Sequence, residues 1–294
     1  MKKFILIALS ALALVGVSCE RKPSEKMEPK DISVQLYSLR SIIGEQYPAI
    51  LTELSQMGFT SVEAAGYDNG KFYGRDPEAF RSDVEAAGMR VLSSHVTNAL
   101  GDAEFASGDF SAKLQWWDKA IADHKAAGMK YIVTPWMGPQ KSLKDLQLYC
   151  DYLNAVGKKC ADAGILYGYH NHAYEFEKVD EQVMYDYLLE HTDPQYVFFQ
   201  MDVYWTVIGK ASPVEYFKKY PGRFRLLHIK DEKEIGQSGM VGFDAIFRNS
   251  DIAGVENIVV EVERYSYPDV KKSVRESIDY LKEAPFVKAS YEKK

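Results

Sequence analysis

One pattern recurs along the chain: an amphipathic stretch ends in glycine, and within a few residues an apolar, β-rich run begins. It appears as QMGFTSVEA (56–64), AAGMRVLSSH (86–95), AAGMKYIVT (126–134), ADAGILYGYH (161–170) and IAGVENIVVEV (252–262). Glycine just past a helix end suits the left-handed turn that terminates it. The runs that follow are rich in Val, Ile and Tyr and nearly continuous in apolar residues, as expected of strands buried on both faces of a parallel sheet. Three further runs fit without the glycine, DISVQL (31–36), YVFFQMDV (196–203) and RFRLLHI (223–229), which brings the strand count to eight. Helical segments with recognisable starts lie between them. Asp76-Pro77 offers a cap and a first-turn proline, as does Ser212-Pro213, while Ser142 and Asp269 precede long amphipathic stretches. Strict β–α alternation implies a parallel sheet with right-handed crossovers, and eight units favour closure. The expected fold class is α/β, a single (β/α)8 TIM barrel over residues 31–290, near the size of roughly 250 residues usual for that architecture. An open doubly wound sheet is the competing arrangement, and no Gly-rich phosphate loop supports it.

The ends read differently. Lys2 and Lys3 precede an apolar run from Phe4 to Val17, shorter than the roughly 20 residues a membrane span needs but suited to the core of a signal peptide. Gly16 and Ser18 then lead to Cys19, a segment that resembles the lipobox of bacterial lipoproteins, with Gly16 where leucine is usual. The expectation is a signal over 1–18, lipidation at Cys19, a charged tether over 19–30 and a short charged tail at 291–294. Such a protein is anchored in the cell envelope and meets the membrane only through its lipid. Formal charge is −6, and loss of Lys2 and Lys3 with the signal takes it to −8. An acidic chain without a basic run argues against nucleic acid as a partner. Cys150 and Cys160 are ten residues apart in one helical stretch, about 15 Å along the axis, so a disulfide between them is not expected.

Composition changes little more, but polar residues inside the apolar runs change a great deal. A buried carboxylate or imidazole costs several kcal/mol unless it is paired or metal-bound. Glu63 ends the second strand and His95 the third; His170 and His172 end the fifth, Gln200 and Asp202 the sixth, His228 and Lys230 the seventh, Glu261 and Glu263 the eighth. Members of each pair are two apart and share a face. All sit late in their strands, at the end where such barrels build active sites. His124 and His191 fall in helical stretches and carry no such expectation. Asp, His and Glu on successive strands, with a ligand from the fifth, make a mixed nitrogen–oxygen set suited to one divalent ion such as Mn²⁺, Co²⁺, Zn²⁺ or Mg²⁺.

The segments GYHNHAYEF (168–176), FFQMDVYW (198–205), PGRFRLLHIKD (221–231) and IVVEVE (258–263) resemble the xylose-isomerase-like sugar isomerase/epimerase superfamily, and the likeness spans nearly the whole barrel. In that superfamily a Glu, an Asp, a His and a Glu on strands five to eight hold the metal. The resemblance places Asp202, His228 and Glu261 at the last three positions. Many members read Glu-Asn-His where this chain has His170-Asn171-His172, so the first ligand is expected to be His170, with Glu175 as the alternative. Glu63, His95, His172 and Lys230 are the candidates for acid/base work. Trp136, Gln200, Tyr204, Trp205 and Glu263 are the candidates for substrate contact.

The function these features imply is proton abstraction α to a carbonyl of a small carbohydrate, by an isomerase or epimerase, with a keto-glycoside lyase or hydratase as the alternative on the same site. Sugar phosphates are scarce outside the cytoplasm, and no basic phosphate cradle is evident. The expected substrate is therefore an unphosphorylated sugar, cyclitol or keto-glycoside. A DNA-repair endonuclease of the same fold would need three zinc ions and a basic groove, which this chain lacks. A non-catalytic sugar-binding lipoprotein is the other rival.

Overall fold

The computed structural model describes residues 29–291. The signal-like segment, Cys19 and most of the tether lie outside the described residues. Eight strands form one closed parallel barrel: β1 (Ser33–Gln35), β2 (Ser61–Ala64), β3 (Arg90–His95), β4 (Tyr131–Thr134), β5 (Leu166–His170), β6 (Val197–Asp202), β7 (Leu226–Ile229) and β8 (Asn257–Val260). Each strand pairs with the next in sequence, and β8 closes on β1 with Ser33 abreast of Val259. One principal helix follows each strand: α1 (Ala49–Met57), α2 (Pro77–Ala86), α3 (Ser111–Ala126), α4 (Leu143–Asp162), α5 (Met184–His191), α6 (Pro213–Lys219), α7 (Phe243–Arg248) and α8 (Val270–Glu283).

The helix–Gly–strand repeat has the physical basis expected of it. At its five junctions, from Gly58 (φ 107°) to Gly254 (φ 82°), the glycine takes the left-handed conformation that ends the helix. The predicted starts also hold. Ser142 and Ser212 accept hydrogen bonds from the amides of Asp145 and Glu215, and Asp269 accepts from Lys271. Asp76 precedes Pro77 as read, but its carboxylate pairs with Lys71 at 2.5 Å instead of capping the helix. Cys150 and Cys160 are free and buried. Both edges of the barrel reach further than the sequence suggested. Lys30, assigned to the tether, donates to the carbonyls of Leu281 and Ala284 at 3.0 and 2.7 Å. Tyr291, assigned to the tail, is buried against Phe247.

Two cores result. The larger lies between strands and helices; the smaller fills the barrel itself with Leu92, Tyr131, Val133, Phe198, Leu226 and Val259. Alternation along each strand stacks polar residues above this plug. Gly168 makes room for it, since a Cβ there would lie 2.6 Å from the Phe198 ring. Gly168→Ala should therefore push Phe198 off its rotamer and destabilise the fold by about 1–3 kcal/mol. A lower urea midpoint with an unchanged m-value is the expected result; an unchanged midpoint would refute this account of the plug.

Candidate functional site

Directly above the apolar plug sits a carboxylate. Glu63 is fully buried at the end of β2 and receives hydrogen bonds from four other strands. The Gln35 amide donates to Oε1 at 2.8 Å, the Ser93 hydroxyl to Oε2 at 2.6 Å and the Gln200 amide to Oε2 at 2.9 Å. His228 Nε2 and His95 Nε2 lie 2.6 and 3.1 Å from Oε1. Burial alone would raise its pKa, yet the imidazoles of His95 and His228 hold it well below the ordinary carboxylate value. A bulge makes this possible. The register between β2 and β3 slips after Val62, so that Val62 faces Val91 but Glu63 faces Ser93. Leu92 then points into the plug, while Ser93 and His95 both reach the carboxylate.

The imidazoles converge around this hub. Gln200 Oε1 accepts from His95 Nε2 at 2.7 Å and from His170 Nδ1 at 3.1 Å. An amide oxygen can only accept, so each ring carries its proton on that nitrogen and, where the ring is neutral, leaves the other with a bare lone pair. His170 is held well below its ordinary pKa by burial and by His228, His95 and His172; burial brings His172 down to about 4. Both rings are therefore neutral at pH 7.

Two groups of side chains have ligand geometry. His95, His170 and His228 form one; Asp202, His228 and Glu261 form the other, with the potential ligand atoms of each group within 4.8 Å of one another. The second group has the features of a cation site. Asp202 Oδ1 accepts from the Trp205 amide at 2.8 Å, while Asp202 Oδ2 and His228 Nδ1 are buried without a hydrogen-bond partner. Glu261 Oε2 stands 3.4 Å from that imidazole nitrogen. Burial raises Asp202 to about 7, against the pull of Lys230 and His228. Lys230 is buried beside the group, 3.2 Å from Glu261 and 2.6 Å from Glu263. Burial would lower its pKa, but Glu261, Asp202 and Glu263 raise it, so it stays charged.

Above these residues opens a cleft of about 380 Å³, at the C-terminal ends of the strands, lined by His95, His170, His172, Glu261, Glu263 and a ring of aromatic side chains. The residues singled out from sequence divide accordingly. Asp202, His228, Glu261, His170 and His95 are brought together, and His172, Glu263 and Trp136 line the cleft. Glu63 and Gln200 do not line the cleft; they lie beneath it with their side-chain polar atoms engaged, in contact with the imidazoles. Glu175 is not part of either ligand group. Its carboxylate accepts from the Tyr169 hydroxyl at 2.7 Å and the His172 amide at 2.8 Å, which spends it on holding the loop after β5. Tyr204 and Trp205 do not line the cleft; Trp205 packs against His172 at 5.8 Å and under Lys230 at 5.7 Å. Sequence reasoning missed Gln35, a polar residue in an apolar run of the same kind as the others. It also missed Ser93, which only the bulge delivers, and Tyr37, Tyr67 and Trp116 in the cleft wall.

Comparison with known proteins agrees with this architecture. The family model described as xylose isomerase-like TIM barrel matches residues 51–284. An inosose dehydratase of Geobacillus kaustophilus (strain HTA426) is 23% identical over 207 residues, 64% of this chain and 64% of its own. One of Clostridium botulinum (strain Alaska E43 / Type E3) is 32% identical over 191 residues, 62% of each. The chain thus spans somewhat under two thirds of these relatives. Two crystal structures of sugar phosphate isomerase/epimerases from Parabacteroides distasonis ATCC 8503 are similar throughout. One is 34% identical with a TM-score of 0.81, covering 88% of this chain and 100% of that one; the other is 33% identical with a TM-score of 0.84, covering 95% and 100%.

The Glu175 carboxyl gives a test of the loop that presents His172. Burial raises it to about 7, against the hydrogen bonds it accepts. The folded state therefore holds a proton that the unfolded chain releases above about pH 4.5, and the associated stability is present in acid and lost as pH rises through 7. Glu175→Gln should be nearly neutral at pH 5 and stabilising at pH 8, by up to about 3 kcal/mol. Urea midpoints at the two pH values measure this; equal effects at both would contradict it.

Proposed function

The chain belongs to the xylose isomerase-like TIM-barrel family, and from that premise we propose that it is a metal-dependent enzyme that removes the proton α to a carbonyl of an unphosphorylated sugar, cyclitol or keto-glycoside. The observation that carries this reading is Asp202 Oδ2, a buried carboxylate oxygen without a hydrogen-bond partner, grouped with His228 and Glu261 just beneath the cleft. Buried polar atoms without partners are costly, and a divalent cation satisfies an acid, an imidazole and a second acid together. Asp202, His228 and Glu261 would hold it, with His170 as the fourth candidate. When bound, such an ion supplies positive charge that polarises a carbonyl oxygen and acidifies the neighbouring C–H.

The remaining residues supply the proton handling. His172 faces the cleft as a neutral imidazole and serves as the base; His95 is the second candidate. Lys230 balances Glu261 and Glu263 and holds both against the cleft. Among the described residues, the cleft wall contains two glutamates and neither lysine nor arginine. That lining repels a phosphate and supports an uncharged substrate, even though the similar Parabacteroides structures are sugar phosphate isomerase/epimerases by name. The lipobox-like start points the same way, toward an anchored protein of the cell envelope.

After α-proton removal two outcomes are open. The proton can return to the same or the neighbouring carbon, giving epimerisation or isomerisation. Alternatively the electron pair can expel a β-hydroxyl or alkoxyl, which leaves as water or alcohol on taking a proton from an acid. The second outcome has its own support. The relatives matched by sequence are named dehydratases, and His170 stands on β5 where the superfamily's strand-five glutamate is expected.

Two measurements test the proposal. The purified protein should carry a stoichiometric divalent ion that Asp202→Asn removes and Glu175→Gln retains. Metal retained by Asp202→Asn would defeat the ligand assignment. In D₂O, the metal-loaded protein should place deuterium on the α-carbon of at least one member of a panel of keto-sugars, inososes and 3-keto-glycosides. No exchange across the panel would defeat the enolisation chemistry, and an absence of bound metal as well would favour a non-catalytic sugar binder.

A further inference from the structure

Large aromatic side chains left in solvent are informative when they cluster. The large apolar residues that stay most exposed among the described residues are Tyr37 (43%), Trp116 (40%), Trp136 (49%), Met240 and Ile252. Three of these five line the one cleft that holds the candidate site. They stand at its mouth, whereas the imidazoles and Glu261 form its floor.

The wall does not end at the mouth. Past Trp116 a second groove opens, bordered by Tyr67, Thr97 and Trp116, which it shares with the cleft, and by Asp68, Asn69 and Lys119. Its floor is braced. Tyr67 packs on His124 at 4.7 Å and Phe72 at 5.1 Å, and its hydroxyl donates to Asp123 Oδ2 at 2.7 Å. Lys119 binds the same carboxylate oxygen at 2.6 Å. Trp116 rests edge-on against buried Trp117 at 5.2 Å and against Tyr67 at 6.1 Å. An indole held in this way offers a fixed apolar face with short polar side chains beside it. A pyranose needs that combination: its C–H face stacks on an aromatic ring, while its equatorial hydroxyls want hydrogen-bond partners. A purely aromatic group would make no use of the exposed Asp68 and Asn69, whose side chains bond each other at 3.1 Å and keep further polar atoms for a ligand.

We propose that the groove over Trp116 is a subsite for a second sugar ring, so that the substrate is a glycoside with at least one further saccharide unit beyond the reacting ring. This rests on the carbohydrate reading of the cleft and specifies its substrate class. Trp116 determines specificity; it contacts the ring that does not react.

The test is direct binding to the full chain, by calorimetry, of methyl glycosides of glucose, galactose and xylose, of α- and β-linked disaccharides that extend each, and of the p-nitrophenyl glycosides. At least one disaccharide should bind about tenfold more tightly than its methyl glycoside, equivalent to about 1.4 kcal/mol. Trp116→Ala should erase that difference, weakening the disaccharide more than the methyl glycoside, and Trp116→Phe should retain part of it; melting curves on both variants confirm folding. Disaccharides no tighter than methyl glycosides, or Trp116→Ala weakening both alike, would overturn the subsite while leaving the carbohydrate reading intact. A gain confined to the p-nitrophenyl glycosides would overturn the saccharide as occupant. Binding of none of these sugars would overturn the subsite, and the carbohydrate reading with it where the keto-sugar panel also shows no exchange.

Discussion

A carboxylate buried at the centre of a protein must be surrounded by donors, and Glu63 obtains its donors from across the barrel. Gln35 on β1, Ser93 and His95 on β3, Gln200 on β6 and His228 on β7 all point at its two oxygens. Removing one partner from such a buried charge typically costs several kcal/mol, so these strand ends are held to a common geometry. That geometry sets the directions of three imidazoles. His228 turns Nε2 to Glu63 and so presents Nδ1 to Asp202 and Glu261. His95 and His170 share the oxygen of Gln200, whose amide group is itself fixed by Glu63. The cleft is therefore ordered from below, by a residue that does not face it.

This arrangement separates support from chemistry. Glu63 and Gln200, beneath the cleft, have their side-chain oxygens and amide nitrogen engaged, whereas Asp202 Oδ2 in the candidate ligand group is buried without a partner. Lys230, charged and buried between two glutamates, keeps the local balance from becoming strongly negative. The neutral state of His170 and His172 follows from the same burial and the same crowding of like groups. Preorganisation of this kind keeps reorganisation small when charge develops on a bound substrate.

Much of this was legible in the residues. Eight apolar runs, five of them led by a helix-ending glycine, were enough for the barrel, because a buried parallel strand can be little else. The period of two put Asp202, His228 and Glu261 at neighbouring strand ends. It failed at β3, where the bulge at Leu92 shifts the inward face by one residue and brings Ser93 to Glu63. No local pattern marks such a slip. Polarity in an apolar run also cannot tell a residue that lines a cleft from one that lies beneath it, so it marks Glu63 as an acid/base candidate and Gln200 as a substrate contact although neither lines the cleft. Glu175 was drawn in by chain proximity to His170, but its loop turns the carboxylate back onto Tyr169 and the His172 amide. Trp116 was invisible for a different reason. It lies in the interior of α3, beside a buried tryptophan, and only the packing of Tyr67 against that helix makes it a wall.

The plug formed by Phe198, Tyr131, Leu92 and Leu226, with Gly168 making room for it, fills the barrel below the polar layer. The cavity is consequently a blind well: whatever enters from the rim departs past the same rim. If the substrate is the saccharide proposed above, it cannot thread through such a well, and only a terminal unit would descend to the imidazoles while its neighbours stay above. On the proposed function, chemistry at this floor would be chemistry on chain ends, one unit per visit, with each product clearing the mouth before the next end arrives.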